Sequence, residues 1–186
     1  MRVISGIFKG FRLKSVPGKL TRPTTDKVKE SMFDILSNYN NNKGKVLDLY
    51  SGSGALGIEA ISRGYSSGVL VDNQYMAIKT IKENILSIKC HGKFKVLNMS
   101  DLKALKFLSI KAIHFSLVIL DPPYKKQKIN EILSYLSKYN LLSQNSIIIV
   151  ETDNSFIFKN IKNYFILSVK NYRNTKVSIL QYRKLI

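Results

Sequence analysis

Along residues 45–151, the spacing of hydrophobic positions switches repeatedly between a pattern typical of strands and a pattern typical of helices. Short apolar runs predict five strands, at 45–50, 68–72, 94–98, 115–120 and 146–151. The stretches between them carry apolar residues at helical spacing, at 55–63, 75–89, 101–109 and 128–139. Strands that alternate with helices imply right-handed βαβ units and therefore a mostly parallel α/β sheet.

The two ends of the chain depart from this alternation. Segments 163–172 and 175–184 predict two strands joined by a short turn, hence an antiparallel hairpin at the sheet edge and seven strands in all. Residues 1–22 mix short β-like stretches with glycines, and Pro23-Thr24-Thr25-Asp26 is typical of a helix start. A polar linker ends at Gly44, so we expect a small N-terminal extension over 1–43 and the main domain over 44–186.

Composition limits the possible classes of protein. A chain of 186 residues is one ordinary domain, with room for a small extension. No apolar run reaches the roughly 20 residues of a membrane span, and the first residues lack a signal-peptide pattern. A single cysteine, Cys90, excludes an internal disulfide and fits a reducing cytoplasm, and one cysteine with two histidines makes a metal site unexpected. We therefore expect a cytoplasmic protein with no bound metal and no membrane association.

Positive charge is concentrated at the two ends. The net charge is +18, of which residues 1–30 contribute +6 and residues 154–186 contribute +7. A basic surface built from two segments is the expected footprint of a nucleic-acid backbone. The alternative is a solvated lysine-rich surface without a partner, because the abundance of Lys, Asn and Ile is also what AT-biased coding gives.

Acidic residues follow four of the predicted strands. They are Asp48, Asp72, Asp101 and Asp121. Ligands of open α/β sheets bind beyond the carboxyl ends of the strands. The pattern therefore predicts a ligand site that is lined with carboxylates.

A glycine-rich loop follows the first predicted strand. Gly52, Gly54 and Gly57 match the pattern G-x-G-x-x-G, which is a weak signal alone. A dinucleotide site places its first glycine at the strand end, where a pyrophosphate meets the helix N-terminus. Here the strand ends in Asp48, four residues before Gly52, and this acid would repel a pyrophosphate but suits an ammonium group. The loop thus favours S-adenosylmethionine, which has an amino-acid tail, a sulfonium and no phosphate, over a dinucleotide.

The remaining cofactor contacts are assigned by position. Asp72 lies twenty residues after Gly52, where a carboxylate can accept from ribose hydroxyls; the alternative is a cap of the helix 75–89. Asp101 can accept from an adenine amino group or cap its own helix, and Asn98 is a lesser candidate for the same role. The predicted cofactor set is Asp48, Ser51, Gly52, Ser53, Gly54, Gly57, Asp72, Asn73 and Asp101.

The four residues Asp121-Pro122-Pro123-Tyr124 directly follow the apolar run 115–120. Proline fixes φ and lacks an N–H, and it drives the preceding residue toward an extended conformation. The segment therefore offers the Asp121 carboxylate and the Pro122 carbonyl as acceptors, beside the flat face of Tyr124. These groups suit the exocyclic amine of a nucleobase. The alternative is a strand-end turn with an aromatic staple.

Methyl transfer to such an amine depends mainly on positioning, because it is an in-line displacement. Hydrogen bonds from the amine to Asp121 and Pro122 would orient its delocalised lone pair, and Tyr124 would stack on the extruded base. Asp121 could also take a proton late, without being an obligatory base. No cysteine lies near the segment, which argues against covalent methylation of a pyrimidine carbon.

These motifs resemble those of class I S-adenosylmethionine-dependent methyltransferases with a D/N-P-P-Y/F/W motif. More closely, the chain resembles the RsmD family, which methylates N2 of a guanine in bacterial 16S rRNA within the assembling small subunit. The resemblance covers 2–6, 9–10, 47–60 and 121–124, and its most family-specific part is 21–30.

The resemblance implies a Rossmann-like fold, S-adenosylmethionine as the cofactor, catalysis by Asp121, Pro122, Pro123 and Tyr124, and action as a monomer on 16S rRNA. It places Arg22, Thr24 and Asp26 beside the cofactor or target base, and it implies that the basic arm grips rRNA. The predicted substrate-binding set is Arg2, Lys9, Arg12, Arg22, Thr24, Lys125 and Lys126.

The chain departs from the family pattern at three places, and rival functions are compatible with the same motifs. Lys9-Gly10-Phe11-Arg12 replaces a K-G-R pattern, Asp72 stands where Glu is frequent, and Tyr172-Arg173-Asn174-Thr175 replaces Y-G-x-T. The rivals are an adenine-N6 methyltransferase on DNA or RNA, and an RNA-binding assembly protein that has lost catalysis. A nucleotide-dependent dehydrogenase is disfavoured by Asp48.

Overall fold

The computed structural model describes residues 1–18, 26–39, 43–123, 128–173 and 175–184, with the side chain of Lys27 excepted. Its strands are β1 (Lys45–Asp48), β2 (Ser67–Asp72), β3 (Phe94–Asn98), β4 (Phe115–Leu120), β5 (Leu142–Thr152), β6 (Tyr164–Asn171) and β7 (Lys176–Tyr182). Its α-helices are α1 (Asp26–Ser37), α2 (Ala55–Ser62), α3 (Tyr75–Ser87), α4 (Asp101–Ile110) and α5 (Ile129–Lys138), and a 3₁₀ turn covers His91–Lys93. The predicted alternation of strands and helices is confirmed.

The strands form one seven-stranded sheet in the order β3-β2-β1-β4-β5-β7-β6. β1 lies in parallel between β2 and β4, with Asp48 opposite Leu70 on one side and Ile119 on the other. Strands β1 to β5 are all parallel to their neighbours within this set. Their carboxyl ends therefore meet along one side of the sheet, which we call the carboxyl edge.

The C-terminal hairpin is antiparallel and lies at the sheet edge, as predicted, and it joins the parallel strands through its second strand, β7. β7 pairs antiparallel with β5, for example Ile149 with Ile179, and β6 pairs with the other side of β7. β6 is thus the outermost strand, and β7 alone among the seven runs against the others. β7 is favoured inside the sheet because its residues Val177–Leu180 are buried, whereas β6 is largely exposed.

Helices cover both faces of the sheet. α4 and α5 pack on one face, where Ile129, Ile132, Leu133 and Leu136 form a helical stripe against the strands. α1, α2 and α3 cover the other face, through residues such as Phe33, Ile61 and Ile81. No helix of the described part of the chain is both long and apolar enough to cross a membrane.

Residues 1–14 form an arm that folds back on itself, with Arg2 and Arg12 in an antiparallel bridge. The Val3 amide donates to the Phe11 carbonyl at 2.9 Å, and the Gly10 amide donates to the Val3 carbonyl at 2.8 Å. Val3 and Leu13 are buried in a cluster with α2 and α3. The arm therefore shares a core with the helices of the sheet, while the predicted domain boundary at residue 43 stays a prediction.

Glu59, in α2, anchors the arm. Its carboxylate is fully buried and accepts hydrogen bonds from the amides of Ile4 (2.8 Å) and Ser5 (3.0 Å) and from Arg63 Nε (2.9 Å). Lys29 lies 3.5 Å from the same carboxylate and donates to the Arg2 carbonyl. Burial lowers the pKa of Lys29, whereas the neighbouring Glu59 and Asp26 raise it.

Candidate active site

The four strand-end acids line the carboxyl edge in order. Asp48 and Asp72 are the last residues of β1 and β2, Asp121 directly follows β4, and Asp101 begins α4 three residues after β3. Because β3, β2, β1 and β4 are consecutive neighbours in the sheet, these acids follow one another along a single edge. The structure therefore brings together the residues that the sequence placed at strand ends.

Ser51 fastens the glycine loop to the sheet. Its hydroxyl donates to the Asp48 carbonyl at 2.7 Å and accepts from the Val71 amide at 3.0 Å, and its own amide donates to the Val71 carbonyl at 2.9 Å. The Ser51 side chain is buried among these partners. The hydroxyl thus fixes where the loop leaves β1 and β2.

The three glycines of the loop meet three different requirements. Gly54 precedes α2 with a left-handed φ of 81°, and Gly52, with φ 52°, has open space where a side chain would stand. At Gly57 a Cβ would lie 2.3 Å from Leu70 Cδ2 and 3.1 Å from Asp48 Oδ2. Gly57 therefore lets α2 pack closely on β2, while Gly52 leaves room for a ligand to approach the backbone.

Asp48 is buried beneath this loop. It is 2% exposed, and its Oδ2 accepts a hydrogen bond from the Gly57 amide at 3.0 Å. Burial raises the pKa of Asp48, the hydrogen bond from the Gly57 amide opposes this rise, and the charge of Asp72 adds to it, so that the pKa is about 7. Asp48 is thus a carboxyl group that can change charge near neutral pH.

The titration of Asp48 predicts a pH-dependent effect of Asp48→Asn. The folded carboxyl holds its proton up to about pH 7, whereas the unfolded one loses it near pH 4. The native state therefore binds the extra proton between these values, and the stability that the group contributes falls as the pH rises from 4 to 7. Asparagine stays neutral and keeps an acceptor for Gly57. As the pH rises from 4 to 8, the free energy of unfolding of the variant should therefore increase relative to that of the natural chain, by on the order of a few kcal/mol.

Urea unfolding of both proteins at pH 4.5, 6 and 8 measures this difference. A difference in the free energy of unfolding that is the same at all three pH values would contradict the raised pKa of Asp48.

Asp72 uses both carboxylate oxygens within the protein. Oδ2 accepts from the Gly52 amide at 2.9 Å, and Oδ1 accepts from the Gln74 amide at 2.9 Å. Gln74 is the residue that precedes α3. Asp72 therefore holds the glycine loop and also closes the turn before α3, so the capping alternative has a structural basis, and the ribose contact stays a prediction.

Asp101 is oriented by a tyrosine that the sequence reasoning missed. Tyr50, just after β1, donates its hydroxyl to Asp101 Oδ2 at 2.9 Å, and the Leu102 amide donates to Oδ1 at 2.7 Å. Burial raises the pKa of Tyr50, and the charge of Asp101 adds to this effect. Because β2 lies between β1 and β3, the Tyr50–Asp101 bond spans the end of β2.

The proline-rich segment continues the central strand β4. Asp121 is half-buried, Pro122 is buried and Pro123 is exposed. Pairing of Leu120 with Val150 places Asp121 beside Glu151, a buried acid near the end of β5. Sequence reasoning missed Glu151 because it stands within an apolar strand. Tyr124, Lys125 and Lys126 lie outside the described residues.

Asp72 and Asp101 give the carboxyl edge its negative charge, whereas Asp48 holds its proton up to about pH 7. None of the ion pairs formed within the described ranges involves Asp48, Asp72 or Asp101. Such an edge attracts a cationic ligand and opposes a phosphate. Within the same ranges, no group of three or more His, Cys, Asp or Glu side chains is arranged to hold a metal ion.

The structure describes some, but not all, of the residues that were predicted to contact RNA. Arg2, Lys9 and Arg12 are exposed on the arm, whereas Arg22 and Thr24 lie outside the described residues. Lys29, which contributes to the net charge of the first segment, is 1% exposed and pairs internally, so it cannot contact phosphate. The C-terminal basic residues are spread along the hairpin: Lys170, Arg173 and Lys176 lie toward the carboxyl edge, and Lys162, Arg183 and Lys184 lie toward the opposite edge. Lys159 lies beside the start of α5, where its amide donates to Asn130 Oδ1 at 2.9 Å.

The sheet order, the reversed β7 and the glycine loop bordered by strand-end acids define a class I methyltransferase fold. The chain belongs to the RsmD family: the family described as "Conserved hypothetical protein 95" matches residues 1–181.

Individual relatives agree with this assignment. YlbH of Bacillus subtilis (strain 168) is 42% identical over 153 residues, covering 82% of this chain and 83% of YlbH. "Ribosomal RNA small subunit methyltransferase D" of Haemophilus influenzae is 34% identical over 154 residues, covering 82% and 79% of the two chains. The solved structure of yhhF from Escherichia coli superposes with a TM-score of 0.84, at 28% identity, over 100% of this chain and 99% of that one.

Proposed function

We propose that this protein transfers a methyl group from S-adenosylmethionine to the exocyclic N2 of a guanine in 16S rRNA of the small ribosomal subunit. The observation that carries this proposal is the acidic carboxyl edge, where Asp121-Pro122-Pro123 follows β4 and the glycine loop follows the adjacent strand β1. The rRNA substrate is supported by the name of the Haemophilus influenzae relative. We expect the protein to act as a cytoplasmic monomer on the assembling subunit.

The residues of the edge fit S-adenosylmethionine better than a nucleotide phosphate. The space above Gly52 gives access to the loop backbone, and the half-buried carboxylates of Asp72 and Asp101 suit ammonium and hydroxyl donors, whereas the buried Asp48 acts on the loop through Gly57. Ser51, Ser53, Gly54, Gly57 and Asn73 complete the set that would hold the cofactor. When bound, S-adenosylmethionine supplies a methyl group activated by its sulfonium.

The chain itself supplies orientation of the target amine. The Asp121 carboxylate and the Pro122 carbonyl can accept both N–H bonds of an exocyclic amine, which directs its lone pair to one side. Asp121 directly follows the central strand β4, whose last residue Leu120 pairs with Val150 of β5, so the sheet fixes where this segment begins. The carboxylate of Asp121 can then take the proton that the alkylated amine must lose. We expect Tyr124 to stack on the base.

Tyr50→Phe tests the cofactor site. The ring would still fill its place, but Asp101 would lose the hydroxyl that orients its carboxylate. Loss of one hydrogen bond to a charged group costs about 1.5–3 kcal/mol, so we expect the affinity for S-adenosylhomocysteine to fall about tenfold or more. Isothermal calorimetry measures this affinity. Tyr135→Phe, which removes a hydroxyl on the same face of the sheet, should leave the affinity unchanged; equal losses in both variants would contradict the role of Asp101.

The proposed reaction is tested by mapping the product. Small-subunit particles and naked 16S rRNA transcript are each incubated with the protein and S-adenosylmethionine carrying a labelled methyl group, and the nucleosides are identified by mass spectrometry. Labelled N2-methylguanosine at one position supports the proposal. Labelled N6-methyladenosine would refute the guanine assignment, and RNA binding without any label would favour an assembly protein that has lost catalysis.

A further inference from the structure

Asn84 is a buried polar residue on the apolar side of α3. It is 1% exposed and lies beside Ile81, Ile85 and Ile88, which belong to the core between α3, α2 and the arm. Buried amides need hydrogen-bond partners, because an unpaired polar group in the interior costs about 1–3 kcal/mol. The hydrogen-bond partners of Asn84 therefore indicate the structural role of its side chain.

Its side-chain amide joins two distant segments. Nδ2 donates to the Ser53 carbonyl at 2.9 Å and to the Lys14 carbonyl at 3.0 Å, and Oδ1 accepts from the Lys14 amide at 2.8 Å. Both N–H donors of the side chain are thus used, one on each segment. Ser53 belongs to the glycine loop, and Lys14 ends the arm.

The same junction has further contacts. Lys14 Nζ pairs with Glu83 of α3 at 2.9 Å, and Ser53 Oγ lies 3.8 Å from Met1 Sδ at the start of the arm. The arm also carries the exposed basic residues Arg2, Lys9 and Arg12. The loop proposed to hold the cofactor and the arm proposed to hold RNA therefore share one buried anchor.

We propose that Asn84 is a positioning residue that couples the binding of cofactor and RNA. This inference rests on the proposed function. A cofactor that orders the loop at Ser53 restrains the side chain of Asn84, and this side chain restrains the arm at Lys14. RNA that binds the arm restrains the loop through the same hydrogen bonds. Each ligand then raises the affinity for the other by the same factor, as linkage requires. Asn84 itself touches neither ligand.

Hydrogen exchange of the natural chain gives the first test. The Lys14 amide is bonded to Asn84, so its exchange reports on the junction. Addition of S-adenosylhomocysteine should slow exchange at Lys14. Exchange at the Leu141 amide, which directly precedes β5 and donates to the Leu136 carbonyl of α5, should not change. Bound S-adenosylhomocysteine with no change at Lys14 would overturn the inference while leaving the proposed function intact.

Asn84→Leu gives the second test, since leucine has a similar size but no polar atom. In the natural protein, saturating 16S rRNA transcript should lower the Kd for S-adenosylhomocysteine about fivefold or more. In Asn84→Leu this ratio should approach one, even if each ligand still binds. Thr80→Val is the control: Thr80 is buried in the same helix, and its hydroxyl donates to the Met76 carbonyl one turn earlier in that helix. It should keep the ratio.

The outcomes separate the two proposals. An unchanged ratio in Asn84→Leu overturns the coupling, and an equal loss in Thr80→Val assigns the effect to the stability of α3, which also overturns it. Failure of the natural protein to bind S-adenosylhomocysteine refutes the proposed function and with it this inference. If Asn84→Leu does not fold, the exchange of Lys14 in the natural chain decides.

Discussion

Asp121→Ala is expected to lower the rate of methyl transfer about 10²–10⁴-fold while leaving the binding of S-adenosylhomocysteine and rRNA nearly unchanged. The variant removes the carboxylate that would orient the target amine and accept its proton, whereas the Pro122 carbonyl and the strand remain. Asp121 lies at the end of β4, outside the glycine loop and the basic arm, so neither binding surface loses a side chain. Single-turnover transfer of labelled methyl groups to small-subunit particles measures the rate.

Two further variants show whether the effect belongs to the carboxylate. Asp121→Asn keeps one acceptor oxygen but no charge, so its rate should lie between those of the natural protein and Asp121→Ala. Glu131→Ala removes an exposed acid from the first turn of the following helix, α5, and should leave the rate unchanged. Transfer by Asp121→Ala at the natural rate would refute the role assigned to Asp121.

Gly6→Ala is expected to destabilise the protein far more than Gly10→Ala, although both glycines have φ of +83°. The left-handed backbone costs alanine about 1–2 kcal/mol at either position. At Gly10 a Cβ would meet nothing within 4 Å, whereas at Gly6 it would lie 1.8 Å from the backbone oxygen of Ser62 in α2. That oxygen cannot move without the helix, so the arm must undock. We expect a loss on the order of 3 kcal/mol or more for Gly6→Ala.

Urea unfolding of the two alanine variants measures the difference, and limited proteolysis reports on the arm. Gly6→Ala should also expose residues 1–14 to cleavage and weaken the binding of rRNA, because the arm carries Arg2, Lys9 and Arg12. Equal losses of stability in the two variants would show that backbone strain alone matters and that the contact with Ser62 does not hold the arm.

Local patterns predicted the elements of the fold well, because each depends on neighbouring residues. The apolar runs and helical stripes gave every strand and helix of the α/β core, and the acids at strand ends gave the carboxyl edge. The position of β7 between β5 and β6 could not be read this way. Strand order depends on which strands bury their residues, and burial is a property of the assembled sheet rather than of the strand.

The residues that the sequence did not reveal act through contacts between distant segments. Glu59 and Asn84 bond to residues 54–70 positions earlier in the chain, and helical spacing does not report such contacts. Asn84 does leave one signal, because it is a polar residue among isoleucines on the core side of α3. Lys29 shows the limit of counting charge, since a cation that pairs inside the protein adds to the net charge but not to the surface.

The place of β7 in the sheet has a consequence for how the chain is made. A ribosome produces β6 before β7, yet in the described sheet β6 bonds only to β7. Until residues 176–182 emerge, β5 offers a free edge with the apolar run Ile147–Val150, and β6 has nothing to join. Free apolar strand edges on a nascent chain invite pairing with other chains. The last strand in the sequence completes the sheet in one late step. Before that step, the nascent protein is most exposed to aggregation.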